Sequence, residues 1–362
     1  MTSKRAAARL PALLALAALA AAPLAAPAAA PAASAAPAAP AAPAVRYALK
    51  ASYPIAGDGW WDYLAYDAAS NRLFIAHATH VQVVDPATGR VTGEIADTPG
   101  VHGVALADDL GKGYTSNGQE NTVSVFDLKT LQVKTKLKTT GENPDFIAYD
   151  RGSHRVFTFN GRSSNATIID ATTDRVVGTI ALDGKPEAAA VDGRGRIYVN
   201  IENKSELTAI DTASGRVVAT WPLKGCDDPS ALAIDAAAHR LFAGCHNRQM
   251  VVVDADNGAV VSTLPIGQGV DADAYDAAAH LAFSSQGDGT LTVVRAEGGD
   301  RYRVVQDAPT RRGARTMALN PVSHDVYLVT ADLEEAPAGA AHGRPAIKPG
   351  SFRLLVMAPT AR

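Results

Sequence analysis

No net positive charge, no long hydrophobic run and no catalytic signature mark this sequence. It carries 34 Lys plus Arg against 37 Asp plus Glu. A phosphate-binding surface needs a net basic patch, so nucleic acid is not an expected partner. The longest N-terminal apolar run, Leu10 to Leu19, is shorter than the roughly 20 residues that span a bilayer. There are two cysteines, neither in the first 44 residues, which excludes lipid attachment of the bacterial lipoprotein type there. Gly-x-Ser-x-Gly, Ser-x-x-Lys and phosphate-cradling glycine loops are missing, as are His-x-His, His-x-x-x-His and His-Glu-x-x-His spacings. Gly287-Asp288-Gly289 falls between strands and reads as a turn.

What is present begins with an export signal. Lys4, Arg5 and Arg9 precede the apolar run, and Ala18-Leu19-Ala20 offers a small-x-small cleavage site, so residues 1–20 read as a signal peptide. Residues 21–44 are Ala and Pro apart from Leu24 and Ser34, a composition that cannot bury a core and forms an extended linker. A periplasmic or secreted location is expected, with no transmembrane segment after cleavage. Removing residues 1–44 takes three positive charges away and leaves 31 basic against 37 acidic residues, or −6.

From Val45 onward one pattern repeats. Its clearest marker is a Val-rich strand ending in aspartate: Val81 to Asp85, Val123 to Asp127, Thr167 to Asp170, Leu207 to Asp211 and Val251 to Asp254. The aspartates are 42, 43, 41 and 43 residues apart. A sixth copy, Leu291 to Val294, is followed by Arg295 in place of Asp, and a seventh, Leu354 to Met357, follows an insertion. Each unit holds four β-rich stretches separated by Gly, Asn, Asp and Pro turns. Four strands per unit of about 42 residues is the spacing of a propeller blade, and blades must stack into a closed ring to hide their apolar faces. The expected fold is therefore an all-β, seven-bladed propeller of four-stranded antiparallel blades over 45–362. Tyr47 to Ile55 is a solitary strand-like segment, and it is expected to complete the last blade and close the ring.

Within the second strand of each unit the chain reads Tyr114-Thr115-Ser116-Asn117, Phe157-Thr158-Phe159-Asn160 and Tyr327-Leu328-Val329-Thr330. In these segments it resembles the YVTN-repeat (YncE-like) β-propeller family, over essentially the whole chain beyond the linker. The resemblance implies a binding or scaffold propeller, while similar propellers elsewhere serve lactone hydrolysis or quinoprotein catalysis.

In an up-and-down blade the loop leading into the inner strand and the loop between strands two and three share a face. Aligned at the lead-in position are Asp62, His102, Asp145, Glu187, Ser230, Asp271 and Arg315, a polar ring around one mouth of the central channel. Such a ring reads either as a wet rim or as part of a ligand site. A metal ion is a further alternative, with Asp62, His77, His102 and Asp145 as ligands; no other cofactor is expected. Arg311 and Arg312 join Arg315 in a basic cluster near the Ala331 to Gly350 insertion, suited to a small anionic ligand or an acidic peptide. These irregularities point to units six and seven as the functional sector. Trp60 and Trp61 read as packing at the ring junction, with ligand stacking as the alternative. Cys226 and Cys245 flank neighbouring strand ends of the fifth unit, and in an exported protein they are expected to form a disulfide. Three roles follow: a ligand- or protein-binding scaffold acting through the lead-in face, a lactonase-like or metal-assisted hydrolase using rim carboxylates, or an accessory subunit of a periplasmic redox system. Without a nucleophile motif, catalysis is the weaker expectation.

Overall fold

The computed structural model describes residues 45–334 and 346–360. The expected signal peptide and linker, and the middle of the 331–350 insertion, lie outside the described residues. Among those residues, 28 strands pair into seven four-stranded antiparallel sheets. Blade 1 runs through Trp61–Asp67, Arg72–His77, His80–Asp85 and Arg90–Ile95. Blades 2 to 6 repeat this order, beginning at the inner strands Val101–Ala107, Pro144–Asp150, Pro186–Val191, Pro229–Asp235 and Val270–Asp276. Blade 7 combines Met317–Leu319, Val326–Thr330 and Arg353–Thr360 with the N-terminal strand Arg46–Pro54. Each inner strand touches the next, and Met317–Leu319 touches both Val270–Asp276 and Trp61–Asp67, so the ring is closed.

Short-range chemistry builds the blades. The marker aspartates accept hydrogen bonds from the turn that follows them: Ala87 N to Asp85 at 3.0 Å, Thr130 N to Asp127 at 2.9 Å, Ser214 N to Asp211 at 2.8 Å and Asp256 N to Asp254 at 2.9 Å. Asp67, Asp235 and Asp276 do the same after the inner strand. These are Asx turns, which explains why the marker recurs at fixed intervals. In blade 6, where Arg295 replaces it, the turn is instead a longer loop through Gly298 and Gly299, closed by Glu297 N to Arg301 O at 2.9 Å.

The core lies between blades rather than within one. Seven apolar clusters occupy the seven seams, such as Phe74, Val83 and Phe126 between blades 1 and 2 and Phe242, Val252 and Ala282 between blades 5 and 6. Burying both faces of each sheet against its neighbours is what makes the ring stable. Closure by the N-terminal strand is as expected: Arg46 to Pro54 pair with Thr360 to Arg353. Tyr47 locks it, buried edge-on against Phe283 at 4.8 Å, its hydroxyl donating to His324 O at 3.0 Å while Gln306 binds its backbone at both N and O. Cys226 and Cys245 are joined by a disulfide that ties the blade 5 lead-in loop to the end of its second strand.

Candidate functional site

In blades 1 to 6 the inner strand's register with the second strand shifts just after its first residue, as between Trp61 and Leu64 or Val101 and Gly103. A bulge leaves a residue out of the ladder and re-aims its side chain. In these six blades the polar residues aligned from the sequence occupy this bulge, while Arg315 lies just before the inner strand of blade 7. Trp61 pairs with His77 and Val101 with Asn117, so the bulges and the loops between strands two and three do share one face.

Three of the ring residues converge. His102 Nδ1 lies 2.7 Å from Asp62 Oδ2 and 3.6 Å from Asp145 Oδ1. Burial pulls the imidazole pKa down, but the hydrogen bond to Asp62, the charges of Asp145 and Asp62 and the Asn143 side chain outweigh it and lift it to about 9. Glu187 pairs with Lys185 at 2.9 Å, and Lys185 also pairs with Glu202. Burial raises the Asp145 and Glu187 carboxyls above the usual range; the charge of Asp145 adds to the rise of Glu187, and the charges of Asp62 and Glu202 add to that of Asp145 against His102 and Lys185. Arg315 Nε lies 3.1 Å from Asp271 Oδ2.

The remaining expected residues are placed elsewhere. Ser230 is buried and donates to Val270 O at 2.8 Å, so it serves the seam between blades 5 and 6 and not the mouth. His77 is not a partner of the Asp62, His102 and Asp145 group. It ends the second strand of blade 1, where blades 2 and 3 have Asn117 and Asn160 buried against the third strand. Its ring is likewise buried, stacked on Phe352 at 4.4 Å with Nε2 3.1 Å from Gly59 O. Arg311 pairs with Asp332 at 3.3 Å, and the Arg312 carbonyl accepts from Thr330 at 2.7 Å. With Asp271 and Asp332 against it, the basic cluster is largely neutralised. Trp61 packs the ring junction on Phe352 at 5.4 Å, while Trp60 stacks on Trp61 and reaches into a pocket.

That pocket has a volume of about 640 Å³ and lies on the lead-in face across blades 1 to 3. Asp62 and His102 line it together with Trp60, Asn121, Asn143 and Arg162. It thus sits away from blades 6 and 7, the sector the sequence irregularities favoured. On the axis lies a smaller cavity of about 180 Å³, walled by Tyr63, Val104, Phe146, Leu232 and Asp273 among others. Tyr63 packs edge-on to Phe146 at 5.2 Å. Burial, then the charges of Glu187, Asp271, Asp145 and Asp62, hold its phenol protonated. Sequence reasoning missed Tyr63, although a signal existed: at this position blades 2 and 4 to 7 carry Gly103, Ala188, Ala231, Ala272 and Thr316, leaving Tyr63 and Phe146 to fill the axis.

No protein-family model matches the chain. It is similar to the uncharacterized protein YncE of Salmonella typhi, 26% identical over 187 residues that make up 49% of this chain and 52% of the relative. The uncharacterized protein YncE of Escherichia coli O157:H7 is 24% identical over 224 residues, 55% of this chain and 63% of the relative. The chain therefore spans about half to two thirds of the length of these curated relatives. Among solved structures, the WD40 repeats of RRP9 superpose with a TM-score of 0.72 at 9% identity, covering 87% of this chain and all of that one. A chain of the mitotic checkpoint complex superposes with a TM-score of 0.70 at 15% identity, covering 86% and 91%. At such identities these structures speak for the fold alone. Taken with the seven closed blades, the sequence matches support a β-propeller similar to YncE.

Proposed function

We propose that the chain is an exported binding module, a propeller scaffold that holds a polar ligand or a short peptide segment in the lead-in pocket of blades 1 to 3. The observation that carries this reading is the pocket itself. Its size suits a small ligand, and its walls combine a stacking surface at Trp60, amides at Asn121 and Asn143 and a charged floor at Asp62 and His102. Aromatic faces with a few convergent polar groups are what a ligand needs for orientation. The blade is preorganised for this work, since Asn143 N donates to Asn121 Oδ1 at 2.7 Å and ties two neighbouring loops together. The pairing of Arg311 and Arg315 with acids favours this pocket over an anion site in blades 6 and 7. Export rests on the signal-like N-terminus. Of the alternatives, the metal-assisted one gains the convergence of Asp62, His102 and Asp145; the redox one gains no specific observation.

The test is a panel of short peptides of defined charge, read by tryptophan fluorescence and melting temperature. A ligand is expected whose effect is lost in Trp60→Ala and Arg162→Ala while both variants keep the wild-type fold. Ligands bound equally well by these variants would refute the pocket as the binding site.

A further inference from the structure

We propose that Asp62, His102 and Asp145 form a divalent-cation site at the floor of this pocket, for an ion of the zinc or manganese kind held by one imidazole nitrogen and two carboxylate oxygens. The inference rests on reading the pocket as the binding site, and it names the element that would anchor the ligand there.

Geometry supports it first. One ligand atom from each residue lies within 4.8 Å of the others, and His102 Nδ1 is 2.7 and 3.6 Å from the two carboxylates. Metal bonds of about 2.0–2.2 Å set neighbouring tetrahedral ligands roughly 3.3 Å apart. The observed separations fall on either side of that value, so an ion fits with small side-chain movements. Because the three residues sit on the bulges of three consecutive inner strands, rigid elements and not loops hold the set.

The orientation of the imidazole is the second, independent observation. A metal-bound histidine usually donates its other ring N–H to an oxygen, which fixes the ring. Here a β-carbon on Gly118 would stand 2.7 Å from His102 Nε2 and 2.9 Å from Asn143 Oδ1. The Asn143 side chain hydrogen-bonds the ring, and with Nδ1 turned to Asp62 and Asp145 it is Nε2 that faces Asn143; only glycine at 118 leaves space for the arrangement. Charge agrees as well. Two carboxylates and a neutral imidazole balance a divalent ion, the imidazole proton leaving to solvent as the ion enters. Competing cations are occupied, Lys185 by Glu187 and Glu202 and Arg315 by Asp271. His102 and Asp62 keep 26% and 21% of their side-chain surface exposed, so the pocket gives an ion access. Three protein ligands leave positions open for water or for an oxygen of the bound ligand.

The experiment is calorimetric titration of the chelator-treated full chain with Zn²⁺ and, separately, with Mn²⁺. One ion per chain is expected. His102→Ala and Asp145→Asn should abolish binding, Asn143→Leu should weaken it roughly 10- to 100-fold, and His280→Ala on the opposite face should leave it unchanged. Absence of stoichiometric binding of either ion, or undiminished binding by folded His102→Ala, would overturn the site. Should His102→Ala fail to fold, Mn²⁺ must selectively broaden the His102 imidazole resonances of the wild type, and broadening of other histidines instead would overturn it. Peptides bound with no ion would remove the cation site alone. An ion bound as expected, with peptide affinity indifferent to Trp60→Ala, would remove the pocket reading alone.

Discussion

Asp273→Asn should stabilise this propeller, and only above acid pH. Asp273 projects from the inner strand of blade 6 into the seam with blade 5, where a β-carbon on Gly244 would stand 2.9 Å from one carboxylate oxygen. Burial pushes the carboxyl from 3.8 up to about 7, and Ser284 and the Gly244 amide oppose this only in part. Neither carboxylate oxygen has a hydrogen-bond partner of ordinary geometry. Below pH 3.8 the group is neutral in both the folded and the unfolded chain and costs nothing. Between 3.8 and about 7 the unfolded chain ionises first, so folding stability falls with rising pH by about 1.4 kcal/mol per unit. The full loss is about 4 kcal/mol and constant above that window. An amide keeps the shape of the protonated carboxyl and cannot ionise. The measurement is urea unfolding of wild type and variant from pH 4 to 8. Their difference should be near zero at pH 4 and grow toward that limit at pH 8. A difference that stays flat across the range would refute the buried-carboxyl account.

Three further outcomes follow from the same structure. Reduction of the disulfide, or the Cys226→Ser/Cys245→Ser variant, should cost about 3 kcal/mol for a loop of this length, seen as a lower melting temperature; thiol titration of unfolded, unreduced protein should find no free sulfhydryl, and finding two would refute the bridge. Tyr47→Ala removes a buried ring and its hydrogen bond to His324, a loss of about 3–5 kcal/mol that should also speed proteolysis at the chain's N-terminal strand; unchanged melting would show that the ring closes without it. His102 holds its proton to about pH 9, against 6.5 when unfolded, so its contribution to stability is complete below pH 6.5 and disappears as pH rises to about 9. The stability gap between metal-free wild type and His102→Gln should close over that window, and a gap independent of pH would contradict the pairing with Asp62 and Asp145.

The blade boundaries were legible because they are written in local chemistry. Asp85, Asp127, Asp170, Asp211 and Asp254 mark blades 1 to 5 as acceptors for their own turns, a job done within three residues. The ring positions were legible for the same reason, since each lies at a fixed offset in its repeat. Their roles were not. Whether a side chain at that offset reaches the mouth depends on its length and on the bulge beneath it, so short Ser230 turns into the seam while His102 spans two blades. His77 misled because a histidine stands where blades 2 and 3 bury an asparagine, and the burial of that position is a property of the fold that one residue's chemistry does not announce. The two cysteines, by contrast, flank strand ends that antiparallel pairing must bring together.

What a repeat hides in its regular features it shows in paired departures. At the third position of the YVTN-like segment, Ser116 and Asn200 each bond an inner-strand carbonyl of the next blade, and Ser285 bonds the Arg315 carbonyl just before one. Blade 5 has Gly244 there, and the space it leaves is taken by Asp273, at a position where the other blades carry Leu64, Val104, Ile147, Ala189, Leu232 and Met317. Neither departure means much alone; together, in adjacent blades, they describe one contact. The same logic joins Gly118 to His102 and Asn143, since a glycine in one loop makes room for an imidazole held by the next blade's amide. Arg315 and Asp271, from neighbouring blades, likewise cancel each other. An isolated irregularity such as Arg295 changes only the loop that follows it, whereas complementary irregularities across a seam mark residues placed against one another. By that criterion the complementary irregularities concentrate in blades 1 to 3, where Asp62, His102, Asn143 and Asp145 answer one another across two seams, and it is this sector that the proposed binding experiments probe.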